Sequence, residues 1–420
     1  MIFPAAGILS PVVRRICGWF GRWRNKAAGC GSHALPGPAS LASLQWKIGA
    51  HCSQCGICSK ACSLLREYGT PKSIVDGYDL ASPAAQGLAY QCSLCGLCTA
   101  VCPEKLDPCR LFLEIRRRCV EDGNFRAFPY RTILGYEFLG NSSLFSWYGL
   151  ADGCDTVFFP GCTLPGSRPA ATKWLFHQLR RGIPGIGIVF ACCASPSHDL
   201  GRTASFHRAF DRIHERLLWS GVRAVVTACP NCTKIFRQYG QGLTVHTVYE
   251  YLAGKTATSR PVAAAAITIH DPCALRDDLA SQQGVRRILT DLGYSVEERE
   301  HSGERTLCCG EGGSVAAVSP RRAREWADLC CDEASGKRIV TYCAGCAGRL
   351  GRDRSVTHLA DLLAFPDAAG KGVAKVARAP STYWNRLVLI RRLQGRLLAH
   401  LVRPQGNTRC PQERGLGKYR

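Results

Sequence analysis

Short apolar runs rich in β-branched residues recur along the second half of the chain and read as buried strands. One series is formed by Val157-Phe158-Phe159, residues 186–190 and residues 222–227; Ile267-Thr268-Ile269-His270 and residues 338–342 belong to a second. Amphipathic stretches of helical period lie between them, at 170–181, 205–221, 284–293 and 319–334. Strand alternating with helix predicts two parallel α/β units, over residues 155–252 and 262–365.

Elsewhere the pattern changes. Leu111, Ile115 and Cys119 share one face of a helix that begins near Cys109. Residues 123–154 form a connector dense in aromatics, among them Phe125, Phe128, Tyr130, Phe138 and Trp147, expected to pack one domain onto the next. Beyond a small-residue linker, Tyr383, Leu387, Ile390, Leu393, Leu397 and Leu401 recur at helical spacing, with Arg386, Arg391, Arg392, Arg396 and Arg403 on the polar side. Residues 366–420 are therefore expected to end in a basic amphipathic helix that lies on an anionic membrane surface or docks on a partner. Residues 1–50 interleave Trp19, Phe20 and Trp23 with arginines, which suits an interfacial helix; the Gly, Pro and Ser content of 29–40 suits a disordered leader equally well.

Length and charge narrow the classes. A chain of 420 residues holds two or three domains, and no apolar stretch reaches the roughly 18 residues a membrane span needs. Most of the formal net charge of +22 sits at the ends: residues 1–50 carry six Lys or Arg and no acid, and residues 370–420 carry twelve against one acid, Glu413. Basic ends attract lipid, acidic partners or nucleic acid. No recognised nucleic-acid-binding fold accompanies them, so no nucleic acid is expected.

Cysteine changes the picture most. The chain holds 26 cysteines in grouped spacings and lacks a secretory signal, which points to metal in a reducing compartment, by default the cytoplasm. Cys52-x₂-Cys55-x₂-Cys58-x₃-Cys62 is followed by Cys92-x₂-Cys95-x₂-Cys98-x₃-Cys102-Pro103, the run that holds two cubane [4Fe–4S] clusters in bacterial ferredoxins. By that rule three cysteines of one run combine with the last of the other: Cys52, Cys55, Cys58 and Cys102 for one cluster, Cys92, Cys95, Cys98 and Cys62 for the second. Gly56 and Gly96 permit the tight wrap. Tetrahedral zinc is the competing metal, but it has no use for eight thiolates in two like sets.

Each α/β unit carries a second kind of set. Cys162, Cys192-Cys193 and Cys229-x₂-Cys232 have 29 and 35 intervening residues, and Cys273, Cys308-Cys309 and Cys343-x₂-Cys346 have 34 and 33. Cys17, Cys30, Cys154, Cys410 and the Cys330-Cys331 pair fall outside these spacings. The doubled pattern resembles the CCG cysteine-rich domain of the heterodisulfide reductases. The whole order resembles the D-type component of that family and the iron–sulfur subunits of glycolate oxidase and anaerobic glycerol-3-phosphate dehydrogenase. The resemblance covers about residues 51–365 and implies an α-helical ferredoxin domain followed by two α/β cysteine-rich repeats. It implies two cubane clusters and one or two non-cubane iron–sulfur clusters, each of the latter held by five thiolates. Ala194 stands where the family pattern has glycine, a departure that bears on the geometry and occupancy of the first set.

The resemblance implies an iron–sulfur electron-transfer subunit linked to a flavoprotein dehydrogenase or a membrane redox partner, working on the cytoplasmic side or peripherally on the membrane. The alternative it implies is an enzyme that cleaves a disulfide at the set formed by Cys273, Cys308, Cys309, Cys343 and Cys346. A zinc-stabilised binding protein is the third reading. No GxGxxG fingerprint follows a strand, so any flavin or nicotinamide chemistry is expected in a partner. His270, Asp271 and Glu311 lie within reach of these cysteines as proton carriers, although Asp271 equally forms a turn and His270 equally fills a strand face.

Overall fold

The computed structural model describes residues 40–255, 266–352, 355–372, 374 and 376–401. Trp19, Phe20, Trp23, Arg403 and Cys17, Cys30 and Cys410 therefore lie outside the described residues, as do the side chains of Arg396, Leu397 and Leu401.

Residues 41–121 form seven helices joined by loops, without a strand. The helix Pro108–Glu121 starts at the Asp107 cap, which accepts from the Arg110 amide, and buries Leu111, Ile115 and Cys119 as their spacing requires. The helix Leu41–His51, which the sequence pattern leaves in the leader, buries Leu44 and Ile48 in the same core. Its apolar positions are too few to be recognised without the partners they pack on.

The first repeat forms a five-stranded sheet of β1 (Trp147–Gly149), β2 (Thr156–Phe159), β3 (Gly187–Phe190), β4 (Ala224–Thr227) and β5 (Thr244–Thr247), in the order β1-β3-β2-β4-β5. All pairs are parallel except β1 with β3. The connector thus ends as an edge strand of the first repeat, and its Phe128 and Phe138 are exposed rather than packed between domains. The second sheet contains β6 (Ala266–His270), β7 (Ser295–Glu297), β8 (Arg338–Thr341) and β9 (Val356–His358), all parallel, in the order β7-β6-β8-β9. This is the order of β3-β2-β4-β5, so the repeat seen in cysteine spacing is also a repeat of topology. The register agrees, for Phe159 pairs with Thr227 and His270 with Thr341.

In both sheets the chain leaves the first strand in one direction and returns on its other side, which opens a crevice beyond the carboxyl ends of β2 and β4, and of β6 and β8. Cys162 and Cys229 follow β2 and β4; Cys273 and Cys343 follow β6 and β8. Cys192 follows β3 directly, whereas a long loop separates β7 from Cys308. The two sheets share one apolar core, and the buried ion pair of Arg168 with Asp361, at 2.6 Å, joins them.

The C-terminal segment is helical over Ser381–Leu401, but its apolar face is not free. Leu389, Ile390 and Leu393 are buried in the core shared by the two repeats. Arg386, assigned by pattern to the polar side, is 3% exposed and donates to the carbonyls of Gly140 and Phe145 at 3.1 and 2.9 Å. That face therefore belongs to the protein's own core, which corrects the expectation of a membrane or partner surface there. Among the described residues no helix is long and apolar enough to cross a membrane.

Candidate metal centres

The two short runs follow the same path. Gln54 and Gly56 take φ of 54° and 76°, and Leu94 and Gly96 take 50° and 73°. Left-handed residues of this kind turn backbone N–H groups inward, and the Leu94 amide donates to Cys92 Sγ at 3.3 Å. The glycines were legible; that Gln54 and Leu94 share the conformation was not. Cys52, Cys55, Cys58 and Cys102 line one cavity with Gln54, Thr70 and Pro103. Burial, then the nearby sulfurs of Cys52, Cys102 and Cys55, raise the Cys58 thiol. Cys62 lies instead beside Cys95 and is pushed up to about 11, chiefly by burial, while Cys92 and Cys98 each feel both Cys95 and Cys62. The structure thus gathers the cysteines as two crossed quartets.

Each repeat brings its five thiols to the sheet crest. In the first, Cys232 Sγ donates to Cys193 Sγ at 3.3 Å, and Cys162 hydrogen-bonds Cys192. Gly161 has φ 80°, and a Cβ there would meet Cys232 Sγ at 3.2 Å, so the backbone must pass bare. In the second, Cys308 contacts Cys273 and Cys309, Cys309 contacts Cys346, and Cys346 contacts Cys343. Sulfur–sulfur hydrogen bonds split each set: Cys162 is held down to about 6, and Cys309 well below a free thiol, while Cys192, Cys232, Cys308 and Cys346 are held well above.

The chemistry of the donor set is the test of fit. Five thiols in contact cannot all ionise together without a positive counter-charge, because each thiolate raises the next. Thiolates are the ligands iron–sulfur clusters use, and a single tetrahedral zinc would leave one of five sulfurs unbound. The residues present fit iron–sulfur groups in both quartets and in both five-thiol sets.

The turns after the paired cysteines differ. Gly310 has φ 83°, and a Cβ there would lie 2.1 Å from the Ala323 carbonyl oxygen. Ala194 takes the same left-handed conformation, with φ 58° and ψ 22°. The first turn is therefore formed despite the missing glycine, at a cost of about 1–2 kcal/mol for an L-residue in this region. The first set has a further neighbour: the Arg386 guanidinium helps lower the Cys162 thiol, after its hydrogen bond with Cys192.

Of the polar candidates, Asp271 is committed to structure. It receives Arg286 at 3.2 and 2.9 Å, the Tyr342 hydroxyl at 2.9 Å and the Gly303 amide at 2.8 Å. Burial pushes its carboxyl up, but these partners, Arg286 first, hold it below the ordinary range. His270 is fully buried, with a ring nitrogen within 4.8 Å of the Cys309 and Cys346 sulfurs. Glu311 is open to solvent as a residue, yet chain crowding its carboxyl, and next the Cys309 sulfur, push it up to about 7. His198 is held between Asp199 at 2.9 Å and the Tyr239 hydroxyl at 3.0 Å, and His358 caps a helix by accepting from Ala360. Cys109, Cys119, Cys330 and Cys331 lie on helices, the last three buried.

The quartet and the second five-thiol set touch. Cys95 and Cys308 are within hydrogen-bonding reach, and this contact, before any other cause, lowers Cys95 to about 6. Arg276 clamps it, donating to the Cys95 carbonyl and to that of Thr306 at 2.8 Å. Arg116, fully buried, spends its donors on the carbonyls of Ala89, Cys92, Asp199 and Gly313, and so ties all three folded parts together. Sequence pattern missed both arginines, since an arginine on a helix, as Arg116 is, or in a turn, as Arg276 is, ordinarily reads as solvated.

Comparison with known proteins agrees with this division. Residues 51–107 match the 4Fe-4S dicluster domain, and residues 156–237 and 267–351 match the cysteine-rich domain. The chain is 29% identical over 193 residues to the D-type component of the dihydromethanophenazine:CoB–CoM heterodisulfide reductase of Methanosarcina barkeri, covering 41% of this chain and 46% of that protein. It is 25% identical over 239 residues to the glycolate oxidase iron-sulfur subunit of Escherichia coli K12, covering 49% and 56%. A probable membrane-anchored ferredoxin of Chromohalobacter salexigens is 29% identical over 93 residues, 21% of this chain and 14% of that protein. The chain spans about half the length of the first two relatives. It is an iron–sulfur protein in which a 4Fe-4S dicluster domain precedes two cysteine-rich domains, related to the D-type component of heterodisulfide reductase and the glycolate oxidase iron–sulfur subunit.

Proposed function

We propose that the chain is an electron-transfer subunit of an oxidoreductase. Cys52, Cys55, Cys58 and Cys102 would hold one cubane cluster, and Cys62, Cys92, Cys95 and Cys98 a second. Cys273, Cys308, Cys309, Cys343 and Cys346 would hold a non-cubane cluster, and Cys162, Cys192, Cys193, Cys229 and Cys232 another. Such groups, once bound, supply one-electron chemistry that no side chain of this protein offers. The chain's own work is insulation and spacing: Arg276 and Arg116 lock the helical domain against the repeats, and the buried strand ends keep water from the sulfurs.

The observation that carries this reading is the packing of Cys95 of one quartet against the core that holds Cys308 of the second five-thiol set, clamped by Arg276. It supports a direct path between the two. A flavoprotein dehydrogenase or a membrane redox component would complete the circuit, at the cytoplasmic side. A second reading, reduction of a disulfide at the Cys273–Cys346 set, is favoured by the solvent-open Glu311 beside Cys309.

The test is electron paramagnetic resonance of anaerobically prepared full-length protein reduced with a low-potential viologen. Cys309→Ala is expected to remove one signal and spare both cubane signals; a variant spectrum identical to the parent's contradicts the reading. Steady turnover of a disulfide by the isolated chain would favour the second reading over the first.

A further inference from the structure

His270 ends β6 where Phe159 ends β2: each stands three residues before the first cysteine of its set and pairs with the threonine two residues before the CxxC cysteine. Strand order and register are shared by the two sets, so this equivalent position is a chemical difference between them. Phe159 offers no hydrogen-bonding group. His270 offers an imidazole, fully buried and facing Cys309 and Cys346.

Its tautomer follows from its other neighbour. Arg299 Nη2 lies 3.2 Å from His270 Nδ1. A guanidinium can only donate, so Nδ1 accepts and the ring proton sits on Nε2. Arg299 has little freedom to do otherwise, being itself buried and anchored through Nε to the Ile269 carbonyl at 3.0 Å and through Nη1 to the Cys330 carbonyl at 2.9 Å. Nε2–H makes no hydrogen bond to any nitrogen or oxygen among the described residues, and the Cys309 sulfur is the acceptor within its reach. A sulfur carrying negative charge beside it would satisfy that donor. The arrangement therefore suits an acceptor that becomes more negative, and does not suit metal ligation through Nε2, which needs a free lone pair there.

We propose that His270 is a potential-tuning donor to the sulfurs of the second five-thiol set, that Arg299 is its positioning residue, and that the first set lacks this device. Resting on the proposed cluster at Cys273–Cys346, the assignment makes the second site easier to reduce, because N–H donation to sulfur stabilises the more negative, reduced form. The second site, which electrons entering at Cys95 meet first, is then more oxidising than it would be without the imidazole.

The test is a redox titration of the full-length protein, prepared anaerobically and followed by electron paramagnetic resonance. His270→Phe, which copies Phe159, is expected to lower the midpoint potential of the second site and leave the cubane midpoints in place. His270→Gln, which can keep an N–H donor, is expected to restore part of the shift, and Arg299→Met to lower the midpoint as His270→Phe does. An unmoved midpoint in a loaded His270→Phe or His270→Asn protein overturns the proposal, and so does a nitrogen hyperfine coupling large enough for a direct iron–imidazole bond. Should the parent protein show no second-site signal at all, the underlying cluster assignment fails instead; a signal whose potential ignores His270 defeats this inference alone.

Discussion

Arg276 donates to the carbonyl oxygen of Cys95 from both Nε and Nη2, at 3.2 and 3.1 Å, across 181 residues of sequence. A guanidinium holds a fork of donors in one plane, so this contact fixes direction as well as distance. It sets the backbone of one quartet against the second cysteine-rich repeat. Arg276→Met is expected to cost about 1–3 kcal/mol through the carbonyls it leaves unpaired. It should also weaken the magnetic interaction between the two reduced sites while preserving each signal. Spectra and denaturant unfolding of the same preparations check both outcomes.

Arg116 makes a sharper stability prediction. Its removal strands carbonyls in three parts of the protein at once, and Arg116→Met is expected to destabilise by about 3–5 kcal/mol, the sum of several buried carbonyls each left without its donor. Arg118, two residues on, pairs with Asp122 at 2.9 Å on a half-exposed side chain, and Arg118→Ala is expected to cost about 0–1 kcal/mol. Chemical denaturation of the two variants side by side measures the difference.

The contrast between these neighbours shows where sequence reading stops. Continuous apolar runs located β2, β3, β4, β6 and β8, which are buried on both faces, and period-3.6 patterns located the helices between them. Cysteine spacing grouped the sulfurs, because ligands must follow strands or tight turns. What pattern could not reveal was any contact between parts. Arg116 and Arg118 look alike in sequence, and only tertiary packing turns the first inward. The same limit misdirected the C-terminal helix, whose amphipathic face was real but already occupied. Asp271 and His270 are adjacent, yet the strand ends between them, and one enters a structural network while the other faces sulfur.

Truncation of residues 381–420 follows from the buried face of that helix. Losing Leu389, Ile390 and Leu393 is expected to cost on the order of 3–5 kcal/mol after the entropy of ordering the helix is discounted. Arg386 leaves with them, so iron at the first five-thiol set should fall while the cubane signals persist. Iron content and thermal unfolding of the truncated chain decide; unchanged values in both would contradict the packing role.

The left-handed turns give a paired test. Ala194→Gly relieves a left-handed alanine but adds unfolded-state freedom, for a net gain of about 0.5–1 kcal/mol. Gly310→Ala drives a Cβ into the Ala323 carbonyl and is expected to be strongly destabilising and to lose the second site. Melting curves of both variants should move in opposite directions.

The measurement that bears most directly on the whole account is iron and acid-labile sulfide content of the anaerobically isolated protein, read beside its spectrum. Two cubes alone supply about eight iron atoms per chain, and the account predicts a brown protein with iron clearly above that level, the share of the excess held by the Cys273–Cys346 set disappearing in Cys309→Ala. Colourless protein, zinc in place of iron, or iron that stops at the level of the two quartets would contradict it.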